Sequence, residues 1–209
     1  QRYNGSSWVA AAQYPTAANA ETITIRSGHS IINPSFPLTV DQTIIAVGGS
    51  LDVSSEQLFT IADGAGIDLE NNGHFELSGD LVVQGTFNTN SGADSYFYGC
   101  TIAGPGTMNI LAGGILNFQG GDKLITDGLT FNLYANFEWG YSDPFEFGGI
   151  NTTFNNYGNL NFGTQVTIGT NFATNATFNN QPGATFIADD IISLDNALVF
   201  NNYGNVDVL

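Results

Sequence analysis

Phe154-Asn155-Asn156-Tyr157-Gly158-Asn159-Leu160-Asn161-Phe162 and Phe200-Asn201-Asn202-Tyr203-Gly204-Asn205-Val206-Asp207-Val208 are two copies of one phrase. In each, an apolar residue is followed two places on by asparagine and two further by glycine, and then polar and apolar residues alternate. Alternation at period two marks a strand with one buried face. Asparagine tolerates a left-handed backbone and glycine places no demand on it, so the residues between read as a corner.

Working outward, the second half of the phrase recurs as Gly49-Ser50-Leu51-Asp52-Val53, Gly73-His74-Phe75-Glu76-Leu77 and Gly106-Thr107-Met108-Asn109-Ile110, and imperfectly as Gly183-Ala184-Thr185-Phe186-Ile187. The first half recurs as Leu69-Glu70-Asn71-Asn72-Gly73 and, with one residue inserted, as Phe178-Asn179-Asn180-Gln181-Pro182-Gly183. Successive glycines of the set lie 24, 33, 52, 25 and 21 residues apart. The steps other than 33 sit near multiples of about 22–25, and the 33 implies an extra strand or loop around Gly85-Thr86-Phe87.

A repeat of that length with short strands and Asn/Gly corners predicts an all-β chain folded as a right-handed parallel β-helix (β-solenoid). Roughly nine coils of about 22–25 residues, each rising about 4.8 Å, give a rod about 40 Å long. A β-sandwich also has short strands and regular turns, but sandwiches rarely repeat one motif in register. Asn71, Asn156, Asn180 and Asn202, with Gly73, Gly158 and Gly204, are the expected turn ladder, the stacked amides bonding from coil to coil. Residues 1–20 fall outside the repeat and are expected to form an N-terminal cap in which Trp8, Tyr14 and Pro15 cover the apolar end. Residues 21–209 are the solenoid, with an aromatic insertion near 134–147.

Composition narrows the function. Hydrophobic residues make up 42% and aromatics 12%, enough for a core. Only 11% are charged, so Asn, Thr, Ser and Gly must keep the surface wet. The net charge is −16, and Arg2, Arg26 and Lys123 are the only Lys or Arg residues. Three cations cannot neutralise a row of phosphates, which excludes nucleic acid and disfavours anionic lipid and acidic polysaccharides. Neutral glycans are easier partners, and adventitious calcium at an acidic turn is the nearest thing to a cofactor. No apolar stretch approaches the roughly 18 residues of a membrane span. Cys100 is the only cysteine, so no intramolecular disulfide forms, and it reads as a small buried hydrophobe. The chain starts at Gln1 without a basic-then-apolar leader, as expected of a mature exported chain. It stops inside the strand pattern Gly204-Asn205-Val206-Asp207-Val208-Leu209, an unblocked pairing template. The expected partner there is the rest of a larger chain or another protein chain.

The stretch Trp8…Tyr14-Pro15…Glu21-Thr22-Ile23-Thr24-Ile25-Arg26-Ser27-Gly28-His29-Ser30-Ile31, with Gly48-Gly49-Ser50-Leu51-Asp52-Val53, resembles the start of β-helical modules in large secreted surface proteins of gliding Gram-negative bacteria. The resemblance covers roughly residues 8–90 well and the Phe-Asn-Asn-Tyr-Gly repeats more loosely. It implies export by the type IX secretion system and a place at the cell surface as an adhesin or a polysaccharide-handling enzyme. The motifs are fold-level punctuation and carry no catalytic residue over.

Chemistry-bearing clusters are scarce. A pectate-lyase-like site needs clustered aspartates beside a basic residue, and Arg26 and Lys123 have no such company. A glycosidase needs carboxylates about 5–9 Å apart, yet the one adjacent acidic pair, Asp189-Asp190, points to opposite faces of a strand. His29 and His74 lack ligand-like spacing, so no metal site is expected. Between Tyr134 and Phe147, Trp139 and Tyr141 could stack on pyranose faces while Glu138 and Asp143 bond hydroxyls, which makes a candidate glycan platform; the alternative is a loop folding its aromatics over the solenoid. The expected function is a non-catalytic structural or adhesive extracellular module. A carbohydrate-binding or carbohydrate-degrading β-helix is the alternative, and a subunit of an end-to-end filament the second.

Overall fold

Alternation in sequence becomes alternation in burial. In the strand Thr153–Asn156, Phe154 and Asn156 are buried while Thr153 and Asn155 are half-exposed, and Thr86–Thr89, Thr107–Ile110 and Thr130–Leu133 follow the same pattern. Strands this short cannot satisfy their backbones alone, so each must find partners in neighbouring coils. In the computed structural model, which describes residues 2–3, 8–9, 22–32, 37–53, 57–120, 123–139, 145–163, 166–188, 192–194 and 198–208, the repeat strands pair in parallel with their equivalents one coil away. The chain is a parallel β-solenoid. An antiparallel pair, Arg2–Tyr3 with Trp8–Val9, precedes it. Tyr14 and Pro15 of the expected cap lie outside the described residues.

Each coil crosses three sheets. The asparagine face has nine strands, from Ile23–Ile25 to Leu198–Asn202, and the third face has eight, from Leu38–Val40 to Ile192–Leu194. Between them lies a split face. Its first five strands run from Ser30–Ile32 to Ile115–Gln119, and a separate sheet of four runs from Phe137–Trp139 to Asn205–Val208. Equivalent positions on the asparagine face are 18 to 26 residues apart (Leu69 with Phe87, Thr43 with Leu69), a wider spread than the repeat suggests. The step of 33 has a simple cause. Gly106 opens a strand of the asparagine face, whereas Gly49, Gly73, Gly158 and Gly204 open strands of the split face, so the glycines belong to two columns.

The corner between these two faces comes in two forms. A longer one turns on a left-handed glycine and closes with a backbone bond, as in Gly49 N–H to the Ala46 carbonyl (2.7 Å) across Gly48, or Ala184 N–H to the Gln181 carbonyl (3.0 Å) across Gly183. A shorter one, at Asn71-Asn72-Gly73 and Asn156-Tyr157-Gly158, closes instead on the preceding side chain. Gly73 N–H donates to Asn71 Oδ1 (3.0 Å) and Gly158 N–H to Asn156 Oδ1 (3.2 Å). This corrects the expectation that Asn71, Asn156, Asn180 and Asn202 serve as left-handed turn residues. They are strand residues, and the left-handed non-glycine residues among those described are Gln42, Asp127, Asn151 and Asn175.

The interior is a set of columns. Phe131, Phe154, Phe178 and Phe200 stack with ring centroids 5.1, 5.0 and 5.2 Å apart and planes 11°, 19° and 22° from parallel. That spacing is close to the coil rise of about 4.8 Å, so one aromatic per coil fills the column without a gap. Burying each such ring contributes roughly 1.5–3 kcal/mol.

Candidate functional site

Of the predicted ladder residues, Asn156, Asn180 and Asn202 come together, the first two buried and Asn202 exposed. Asn156 Nδ2 donates to Asn180 Oδ1 (2.9 Å) and to the Thr185 carbonyl (3.0 Å); Asn180 Nδ2 donates to Asn202 Oδ1 (2.8 Å) and to the Asn205 carbonyl (2.8 Å). Asn71, several coils away, bonds the Asp94 carbonyl (2.7 Å) and Ser95 Oγ (3.1 Å) instead. Asn71, Asn156 and Asn180 are fully buried, and their amides hold corner and coil spacing together. Gly73, Gly158 and Gly204 sit beside them for lack of room. A Cβ on Gly73 would lie 2.5 Å from the Ala46 carbonyl oxygen, and one on Gly204 2.5 Å from that of Gln181.

The aromatic platform does not assemble as expected. Trp139 is 1% exposed and packs among Phe118, Phe137, Phe145 and Phe162, with centroids 5.2–6.3 Å away. It therefore cannot stack on a sugar. The cause is strand phase: Phe137–Trp139 is a regular strand of the split face in register with Leu160 to Phe162, which turns the third residue inward. Residues 145–150 likewise form a strand of the third face. Glu138 is exposed. Tyr141 and Asp143 lie outside the described residues. Where the split face breaks, Ile115, Asn117, Asn136, Phe137 and Glu138 line an open depression of about 460 Å³, and Glu138 is its one carboxylate.

A second ordered polar surface lies outside the expected site residues. On the outside of the asparagine face, Asn88, Asn109, Asn132, Asn155, Asn179 and Asn201 form a second ladder. From Asn109 onward each Nδ2 donates to the Oδ1 of the residue one coil back, at 2.7–2.9 Å. In register beside it run Thr86, Thr107, Thr130, Thr153 and Thr177, two residues earlier on each strand. On its other side the rings of Tyr134 and Tyr157 stack at 4.4 Å and 8°, both exposed. The signal was present as Thr-x-Asn at the head of successive strands.

One coil before Asn88 the same column holds Glu70, which accepts from Asn90 Nδ2 (2.9 Å); the other charged side chains lie elsewhere. On the split face His74 Nδ1 is 2.7 Å from Asp94 Oδ1, Nε2 is 3.4 Å from Glu76 Oε2, and the ring rests 5.4 Å from that of Tyr96. At another corner Asp68, buried, accepts from the backbone N–H groups of Gly64 (2.8 Å) and Thr86 (2.6 Å). Asp41 lies against it, and its carboxyl is held above the ordinary carboxylate range, first by burial and then by the hydrogen bond to Asp68 and the charges of Asp68 and Asp63. A carboxyl raised in the folded state binds its proton more tightly there than in the unfolded chain, so its contribution to stability falls as pH rises above the ordinary value of 3.8. Asp41→Asn is therefore expected to raise the thermal midpoint at pH 7, with the difference shrinking toward pH 4 in a pH series of melting curves. Cys100 is buried, which pushes its thiol up to about 12, well outside the range of a nucleophile. Lys123, also buried, donates to the Gly120 carbonyl. Among the described residues no group of three His, Cys, Asp or Glu side chains is placed to hold a metal ion.

The chain matches no protein-family model, no curated protein and no solved structure.

Proposed function

We propose that this chain is a non-catalytic structural and adhesive extracellular module, of the kind carried by large secreted surface proteins of gliding Gram-negative bacteria. The observation that supports it is where the polar side chains are spent. An outer asparagine ladder runs through six coils from Asn88 to Asn201, and a shorter inner one joins Asn156, Asn180 and Asn202, so amides tie coil to coil on both sides of the sheet. A rigid rod with a repetitive, wettable surface suits holding and touching at a distance from its anchor. The acidic, lysine-poor composition and the resemblance over roughly residues 8–90 support secretion, type IX export and a cell-surface address. No cofactor is needed for such a role, and its partners are the parent chain and uncharged surface polymers.

Two measurements test this. Beads carrying the chain should be retained on surfaces coated with polysaccharides or cell-wall material more strongly than beads carrying a control protein of equal charge. The chain should also release no reducing ends from a panel of polysaccharides. Release that follows protein concentration would make it an enzyme, and indifferent beads would remove the adhesive role.

A further inference from the structure

We propose that the outward strip of Thr107, Thr130 and Thr153 beside Asn109, Asn132 and Asn155 is a docking track for an extended neutral polysaccharide lying along the solenoid axis. The proposal rests on the adhesive reading and gives it a surface and a ligand class.

Hydrogen-bond capacity comes first. A primary amide has two N–H donors and two carbonyl lone pairs. Within the ladder Asn109 and Asn132 each spend one of each on their neighbours and keep a second N–H and a second lone pair, whereas Asn155 Oδ1 also accepts from Gln181 Nε2 (3.2 Å) and Asn155 keeps only its second N–H. The threonine hydroxyls alongside both donate and accept. The strip is therefore a donor and an acceptor at every coil, which is what a sugar hydroxyl, itself both, requires.

Charge selects further. The chain carries 19 acidic residues, yet from Thr86 to Asn201 the asparagine face places none of them on its Thr and Asn columns. The split face by contrast carries Asp52, His74, Glu76 and Asp94. With a net charge of −16 behind it, the strip repels polyanions and offers no fixed charge to a polycation.

Repetition and shape then favour a polymer. Coils advance about 4.8 Å and the two columns stand about 6.7 Å apart, so the five coils that carry both make a track about 19 Å long. An extended β-linked hexose chain advances by a comparable rise per sugar, so successive sugars meet equivalent groups and weak contacts add along the chain. Amides already fixed by the ladder lose little rotamer freedom on binding. The stacked Tyr134 and Tyr157 stand along the asparagine side as a rim, one face of each ring covered by the other. A rim on one side suits a single strand nestling against it rather than a flat crystal face.

The test uses amorphous cellulose and insoluble mannan as neutral probes, with alginate beads as the anionic one. Wild-type chain is expected to leave the supernatant with the neutral probes and to stay in solution over alginate. The double variant Thr107→Lys, Thr153→Lys should bind about tenfold more weakly or worse. Thr60→Lys, a half-exposed position on the third face, should bind like wild type. Far-UV circular dichroism checks that both variants keep the β fold. Equal retention of wild type and the double variant would overturn the track while leaving adhesion intact. Failure of wild type on both neutral probes, or binding to alginate, would overturn the ligand class, and the bead assay then judges the adhesive reading on its own.

Discussion

Asn156→Ala is expected to destabilise the protein by about 3 kcal/mol, while Asn132→Ala costs under about 1 kcal/mol. Asn132→Ala removes two rungs of the outer ladder and Asn156→Ala one of the inner, so rung count alone would rank them the other way. Surroundings decide. Asn156 is fully buried, and its side chain serves Asn180 Oδ1, the Thr185 carbonyl and the Gly158 N–H. Alanine leaves those groups without that partner in a place water cannot easily reach, and buried polar groups left unmade cost more than the bonds themselves contribute. Asn132 is half-exposed, its bonds run only to Asn109 and Asn155, and water can replace both. Urea unfolding followed by circular dichroism and by intrinsic tryptophan fluorescence reads the difference. Two probes are needed because stacked coils can lose cooperativity and unfold in stages. Equal costs at the two sites would mean that the outer ladder also carries the fold, and that its exposed amides are not free for another role.

The class of fold was legible because period-two alternation and a recurring corner are local signals, and coil stacking repeats them in register. What was misread follows from the same fact. Gly-x-apolar-x-apolar opens strands on two faces, so Gly106 and Gly158 look alike in sequence although they stand at different corners. In sequence, the asparagines before the short corners suggest left-handed turn residues. Yet Asn71 and Asn156 act from inside a strand, closing through a side chain the turn that Gly48 or Gly183 closes through the backbone. The alternation itself held the answer, since Phe154 and Asn156 share a phase and must face the same way.

The candidate site was less legible, again for reasons of phase. Aromatics beside carboxylates fit both a sugar platform and a loop folding its aromatics over the solenoid, so Trp139 has two readings in sequence. Its place two residues after Phe137, in register with Phe162, turns it into the core. Conversely, the Thr and Asn residues of the outer strip carry no chemistry singly. Their meaning lies in recurrence at one register across many coils, which becomes visible only when pairing partners are known.

Two glycines that look equivalent in sequence should respond oppositely in kind. Gly158→Ala is expected to cost about 3 kcal/mol, the upper part of the range for forcing extra volume into a packed site. Its backbone is not left-handed, so alanine has no conformational objection. The obstacle is the coil before it: a Cβ would press on the Ala135 carbonyl, with the carbonyl carbon at 2.8 Å and the Tyr134 carbonyl oxygen at 3.1 Å. Those atoms are backbone of the corner between the paired strands Thr130–Leu133 and Phe137–Trp139, and cannot give way as a side chain tip would. Gly183 is the reverse case. Its φ is +85°, yet nothing lies within 4 Å of an added Cβ. Alanine there should cost only about 1–2 kcal/mol, all of it conformational, and asparagine, which visits left-handed backbone more readily, should recover most of that. The signature is thus a crossed pattern: Gly183→Asn close to wild type, Gly158→Asn at least as damaging as Gly158→Ala. Chemical denaturation of the four variants measures it. If asparagine rescued position 158 and not 183, conformation rather than coil spacing would govern the short corner, and close backbone approach would no longer explain why Gly73, Gly158 and Gly204 are glycine.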